Sequence, residues 1–357
     1  MSRGLRGMRI LIVSHPALSP ESGAAQMALN LAAALRDRGH EATAWSPEPL
    51  PARTRFWDRW LRQRRLLEEH LQSRRFDVID VPAVSISPRV AAAAPLVVAR
   101  SVQPELLYQR VAVRERFRRV PHRAVPEAAV GWMVSRAVIA GWRRAGVVLC
   151  LGSAEARWMR ERFPWTAPKL AVYLNALSSA DREALAGVRA ARRPRSGAVR
   201  FLWIGRWVAH KGTRRLVRFL AERGASDPGD TFTLAGCGSE ALRECPPELV
   251  AAGRVKAIPS FARRDLPALL AEHDAGLFTS EAEGWGLALN EMLEAGLPVY
   301  ATEAGGVEDL RLCFPRSLRP FPPSSGPVPP AGDEPDDAFT WARIAEGYEA
   351  DVLSRKD

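Results

Sequence analysis

Short apolar runs alternate with longer amphipathic stretches along almost the whole chain. A strand is predicted over 8–13 (MRILIV). A loop with Pro16, Pro20 and Gly23 follows, then an alanine-rich helix over 24–39 that Gly39 ends. Further strands are predicted at 41–46 (EATAWS), 76–81 (FDVIDV), 95–101 (PLVVARS), 146–152 (GVVLCLG) and 170–175 (LAVYLN), separated by helix-length segments. After 178–198, which shows little apolar periodicity and reads as a linker, the alternation resumes at 199–205 (VRFLWIG). It continues at 231–236 (TFTLAG), 254–260 (RVKAIPS), 274–280 (DAGLFTS) and 298–302 (PVYAT). Strands alternating with helices in this way predict parallel sheets covered by helices on both faces, so the fold class is α/β. A proline-rich stretch over 315–335 interrupts the pattern, and a last helix is predicted over 338–354.

With 357 residues the chain is long enough for two domains of ordinary size. No apolar span approaches the roughly 20 residues of a transmembrane helix, and MRILIV is too short for a signal-peptide core. The four cysteines, Cys150, Cys237, Cys245 and Cys313, are scattered without Cys-x-x-Cys pairing, which suggests reduced thiols and a cytoplasmic protein. Charge is uneven. Up to residue 180 there are 28 basic against 14 acidic residues, so the net charge of +11 belongs to the first half. The excess concentrates at 53–65 and 110–123, interleaved with Phe or Trp. Phe56, Trp60, Leu67 and Leu71 would share one helical face. An interfacial helix at the inner face of an anionic membrane and an ordinary core-facing helix both fit that pattern. Arginine with aromatics also suits nucleic acid, but no recognisable nucleic-acid motif accompanies it.

Two segments carry candidate chemistry. In the first, the strand 274–280 runs into the turn Glu283-Gly284-Trp285-Gly286. A helix follows to Ala295, and Gly296-Leu297-Pro298 returns the chain to a strand. Turn glycines let backbone N–H groups approach an oxyanion closely, and the positive end of a helix dipole favours a phosphate there. Glu291, about two turns beyond Glu283, could accept hydrogen bonds from a ribose diol; a solvated helix-face acid reads the same way. In the second segment, FLWIGRWVAHKGT, a strand ends at Gly205 and Arg206 follows. Lys211-Gly212 then precedes a helix, so two cations flank a strand end. Lysine is scarce in this chain, at Lys169, Lys211, Lys256 and Lys356 only, so its use here suggests a need for a point charge. Gly236-Cys237-Gly238 with Ala241 imitates a dinucleotide fingerprint, but Pro246-Pro247 follow where a helix should build. No Asp-x-Asp pair sits between apolar residues, so no metal site is expected.

Glu283, seven intervening residues and Glu291, followed by EAGLPVYAT and Gly305-Gly306, resemble the retaining glycosyltransferases of the GT-B fold, family 4. The resemblance implies two Rossmann-like domains facing across a donor/acceptor cleft: 1–177, a linker over 178–198, and 199–335, with 336–357 crossing back to the first. It implies a nucleoside diphosphate sugar as donor substrate, no cofactor and no metal. Arg206 and Lys211 would clamp the diphosphate as catalytic groups with Glu283. Glu291 would hold the ribose, Glu283 with the Gly305-Gly306 loop would orient the sugar, and the turn glycines Gly284 and Gly286 would bind the donor substrate. Gly23 would admit the phosphate, with His15 and Arg100 at strand ends on the ligand side. The acceptor, a glycan or a lipid-linked molecule, stays open. Where family members often carry His-Gly after Arg-Ser, this chain has Val102-Gln103. A catalytically silent partner subunit, or an arginine-rich binder of anionic membrane or nucleic acid, is therefore the alternative.

Overall fold

A computed structural model describes residues 7–19, 23–50, 54, 58–119, 121–193, 197–332 and 339–356. Phe56, residues 194–196 of the expected linker and the acidic stretch 333–337 lie outside them. The chain forms two compact units, one of Met1–Ala176 with Ala338–Asp357 and one of Leu177–Asp337.

The first unit contains strands β1 (Arg9–Val13), β2 (Glu41–Trp45), β3 (Val78–Val81), β4 (Leu96–Arg100), β5 (Val147–Leu151) and β6 (Leu170–Tyr173). They form one parallel sheet in the order β2-β1-β3-β4-β5-β6. Helices α1 (Gly23–Asp37), α2 (Arg59–Gln72), α3 (Pro88–Ala91), α4 (Glu105–Arg119), α5 (Pro121–Arg144) and α6 (Ser153–Arg162) connect them. Strands β3, β4 and β5 are buried at every position. That explains why they read as continuous apolar runs and not as alternating ones. In α2, Leu67 and Leu71 are buried and Trp60 packs on the same core, so the described part of the first basic run is core-facing.

The second unit repeats the architecture with β7 (Arg200–Ile204), β8 (Thr231–Ala235), β9 (Val255–Ile258), β10 (Ala275–Phe278), β11 (Val299–Ala301) and β12 (Leu318–Pro320). Its parallel sheet has the order β12-β11-β10-β7-β8-β9. The chain builds outward from β7 to β9, returns to the other side of β7, and builds outward again through β12. The strand order therefore reverses between β7 and β10, and open α/β sheets bind ligands beyond the carboxyl ends of the strands at such a reversal. Its helices are α7 (Ser179–Ala191), α8 (Thr213–Ser226), α9 (Pro247–Ala251), α10 (Leu266–Ala271), α11 (Leu287–Glu294) and α12 (Val307–Cys313).

Two expectations are corrected here. Residues 178–198 are not a featureless linker. Ser178 caps α7 by accepting a hydrogen bond from the Asp181 N–H at 3.1 Å, and Leu185 is buried. The Arg189 guanidinium donates to the Glu294 carbonyl at 2.6 Å. Polar contacts, which leave no apolar stripe in the sequence, hold this helix to α11. Strand β12 forms inside the proline-rich stretch, at the sheet edge, where a proline ring removes no needed donor.

The last helix, α13 (Trp341–Asp351), belongs to the first unit. Tyr348 donates to Asp80 at 2.8 Å. Glu349 receives Arg38 at 2.6 Å and pairs with His40 at 3.0 Å, and Lys356 meets Asp77 at 2.9 Å. Among the described residues no helix is long and apolar enough to cross a membrane.

Candidate active site

The loops after β7 and β10, at the reversal point of the second unit's sheet, are stitched to each other. The N–H groups of Glu281 and Ala282 donate to the His210 carbonyl at 2.7 and 3.3 Å. The Thr279 hydroxyl donates to the Lys211 carbonyl at 2.8 Å while accepting from the Trp203 indole at 3.1 Å. Gly212 seals this contact. Its φ is +71°, and a Cβ there would lie 1.8 Å from the Thr279 carbonyl oxygen, so no other residue fits. The backbone is thereby fixed on both sides of Lys211, whose ammonium forms an ion pair with Glu283. Glu283 also accepts from the Ser280 hydroxyl at 3.2 Å and from the Gly284 N–H at 3.3 Å.

The loop after β11 closes on the same place. Thr302 donates to the Ser280 carbonyl at 2.6 Å, and the Gly306 N–H donates to the Trp285 carbonyl at 2.9 Å. Gly305 has φ +61°, and a Cβ on it would meet Glu283 Cβ at 3.0 Å, so the glycine pair leaves Glu283 its room. Gly286, at φ +92°, is the residue from which α11 starts. Arg206 stays exposed beside this group. Burial first, and then the Lys211 and Arg206 charges, push the His210 imidazole down to about 4 against the pull of Glu283, so His210 is neutral at pH 7. Arg206, Lys211, Glu283, Gly284, Gly286, Gly305 and Gly306 thus gather on three adjoining strand ends.

Glu291 sits further along α11 in a different setting. It is 5% exposed, and its Oε1 accepts from Arg263 Nη1 at 2.8 Å. Burial raises its carboxyl above the usual range, and Arg263 opposes that rise.

In the first unit the sheet reverses direction between β1 and β3, and the residues expected there divide. His15 follows β1 and shares a 2.8 Å hydrogen bond with the Ser85 hydroxyl. Burial and the cations Arg100 and Arg59 bring it down to about 4, so it is a neutral imidazole. Gly23 opens α1. Arg100 does not line a ligand site. It is 2% exposed, donates to Asp80 Oδ1 at 2.6 Å and to the Val13 carbonyl at 2.8 Å, and acts as the core partner of a buried acid. Its place at the end of β4 suggested a ligand role, but the enclosed Asp80 on the adjoining strand claims its charge.

Residues 198–312 match the family Glycosyl transferases group 1. The glycogen synthase of Mycobacterium tuberculosis is 32% identical over 140 residues, 36% of this chain and 33% of that protein. An uncharacterized glycosyltransferase of Bacillus subtilis, YqgM, is 34% identical over 121 residues, 32% of this chain and 33% of that protein. The chain thus spans about a third of the length of the curated relatives it matches. Solved structures show that the whole fold is GT-B. Sucrose-phosphate synthase from Thermosynechococcus elongatus aligns over 98% of this chain and 94% of its own, at 14% identity and a TM-score of 0.63. WaaG, a glycosyltransferase involved in lipopolysaccharide biosynthesis, aligns over 96% and 90%, at 15% and 0.58. Anabaena Alr3699/HepE in complex with UDP and glucose aligns over 98% and 92%, at 18% and 0.51.

The second unit also contains charged residues whose place at the site is not evident in the sequence. His210 lay between Arg206 and Lys211 unremarked, although a histidine inside a cationic strand-end loop was a signal. Arg263 and Asp181 gave none, because the bond between them spans 82 residues and needs the fold to exist first.

Proposed function

We propose that the protein is a glycosyltransferase that moves a sugar from a nucleoside diphosphate sugar to an acceptor hydroxyl, with retention and without a metal ion. The observation that carries this reading is the Lys211–Glu283 ion pair, set among turn glycines at the reversal point of a group 1 sheet. UDP in the Anabaena structure and ADP in a plant starch synthase structure are ligands of proteins sharing this fold, and they suggest the donor class.

In this mechanism the diphosphate lies across the amino ends of α8 and α11, where backbone N–H groups and the Arg206 and Lys211 cations stabilise the charge it gains. The bond between the anomeric carbon and the phosphate oxygen breaks. The acceptor oxygen bonds the same carbon from the same face, and its proton passes to the departing phosphate. Glu283 holds Lys211 in position and presents its second oxygen to sugar hydroxyls; Glu291 takes the ribose. Because the departing phosphate is the base, Val102 in place of a histidine does not forbid the reaction.

The test is a thermal-shift screen with nucleoside diphosphates and their sugars, followed by turnover with the best donor. Lys211→Ala should lower donor turnover by about 10²–10³-fold, the usual loss for one preorganised charge-stabilising donor. Full activity in that variant removes the clamp, and no stabilisation by any nucleotide removes the whole reading. Saturable binding without transfer or hydrolysis assigns the silent-subunit role.

The acceptor is proposed to be met at an anionic membrane surface on the cytoplasmic side. In α4 and α5, Phe117, Val125, Trp132 and Met133 are 45–63% exposed, in segments that also carry Arg110, Arg114, Arg118 and Arg136. Salt-sensitive co-sedimentation with phosphatidylglycerol vesicles, and none with phosphatidylcholine, is the expected result.

A further inference from the structure

Arg263 lies in the short 3₁₀ turn Arg263–Asp265 ahead of α10. Its guanidinium is shared between two acids from distant segments. Nε and Nη2 donate to Asp181 Oδ1 and Oδ2 at 3.2 and 3.0 Å, and Nη1 donates to Glu291 Oε1 at 2.8 Å. The Asp181 fork fixes the plane of the guanidinium, as bidentate pairing does. Asp181 is itself held, because Ser178 donates to its Oδ2 at 2.6 Å. Ser178, Asp181, Arg263 and Glu291 therefore form one relay from the start of α7 to the middle of α11. It ends at Glu291 Oε2, which accepts no hydrogen bond among the described residues.

We propose that Arg263, braced by Asp181, is a positioning residue that holds the Glu291 carboxylate with one oxygen turned to the ribose 2′- and 3′-hydroxyls of the donor nucleotide. This rests on the donor reading above and adds to it the part of the protein that makes Glu291 competent. A carboxylate this enclosed tends to take a proton. An acid that has taken one loses acceptor capacity and can no longer receive two hydroxyl bonds. Burial pushes Glu291 up, Arg263 draws it back, and Asp181 adds a smaller upward push. The other charged groups where α11 packs on α7 are engaged with one another one turn on, where Arg182 and Arg189 meet Glu294 at 3.4 and 3.8 Å. The strands beneath α11, β10 and β11, add only Tyr300. Arg263 is thus the cation that acts directly on Glu291.

The experiment measures binding of uridine and adenosine 5′-diphosphates, each against its 2′-deoxy analogue, by calorimetry from pH 6 to 8.5. It uses the full-length wild type, Arg263→Gln, Arg263→Lys and Asp181→Asn. The wild type should prefer a ribonucleotide with an affinity nearly flat in pH. Arg263→Gln should weaken the ribonucleotide about tenfold at pH 6, as loss of one charge-assisted bond would. The deoxy analogue should be almost unaffected, and affinity should recover as pH rises and Glu291 ionises. Arg263→Lys should restore part of the preference. Should Arg263→Gln not fold, Asp181→Asn carries the comparison, with a smaller loss confined to the ribonucleotide. A wild type that binds neither nucleotide, or binds ribo and deoxy forms alike, overturns this proposal together with the ribose role of Glu291. A wild type that discriminates, beside variants that keep both its preference and its flat profile, overturns the role of Arg263 alone.

Discussion

Replacing Gly212 by alanine tests whether the stitched loops are as tight as their geometry implies. The backbone at Gly212 has φ +71°, a region that costs a residue with a Cβ about 1–2 kcal/mol. The new Cβ would also stand 1.8 Å from the Thr279 carbonyl oxygen and 2.8 Å from its carbon. Those are backbone atoms, which cannot swing aside, so a further ~1–3 kcal/mol of overpacking is expected. Gly238→Ala is the control. Its φ is +72°, but nothing lies within 4 Å of the added methyl, so only the conformational cost of ~1–2 kcal/mol applies. Hydrogen exchange at the amides of β7 and β10 reads the stability of this unit apart from the other. Gly212→Ala should lose roughly 2–5 kcal/mol of protection there, well beyond the control. It should also weaken nucleotide binding, because Thr279 holds the Lys211 carbonyl. Equal losses in the two variants would show that the β7 and β10 loops can part without strain, and the argument for a fixed Lys211 would fail.

Two further outcomes are expected. Asn290 is 1% exposed and neither its amide oxygen nor its nitrogen has a partner among the described residues, so Asn290→Leu should stabilise the second unit by about 1–2 kcal/mol; a lower urea midpoint in the variant contradicts this. In the first unit, burial pushes Glu155 up to about 7 against the bonds from Ser101 and the Leu151 N–H, and burial with the Glu155 charge pushes Glu105 up to about 7. Both lie above the ordinary 4.5, so the native state keeps its protons longer; the resulting stability is complete below about pH 4.5 and is lost as pH rises through 7. Urea midpoints for that unit should therefore fall between pH 5 and 7.5, Glu155→Gln should flatten the fall, and an unchanged slope refutes the assignment.

What could be read from the chain, and what could not, follows from how local each determinant is. All eleven expected strands form, because a strand buried on both faces must be apolar throughout and a parallel sheet needs the helices between. Strand β12 stayed hidden because an edge strand tolerates Pro320, and proline argued against pairing. Helix α7 stayed hidden because ion pairs and carbonyl bonds hold it, and these have no period. Within the site, the turn glycines, Lys211 and Glu283 stand out because each conformational demand is met within a few residues. Arg100 was misjudged for the opposite reason, since position in a strand says nothing about whether Asp80 encloses the side chain 20 residues away. Arg263 and Asp181 meet only after α7 and α10 have packed.

Because Tyr348 and Glu349 complete the first unit from about 170 residues beyond its last strand, that unit stays unfinished during synthesis until residues 339–356 emerge from the ribosome. Until then Asp80 lacks its tyrosine and His40 its glutamate. The second unit, continuous from Leu177 to Asp337, has no such delay and can assemble while its neighbour is still unfinished. Nascent chains stalled once Asp337 has left the ribosome, with the following residues still inside it, should already protect β7 through β12 from protease and protect β1 through β6 less than the released chain does.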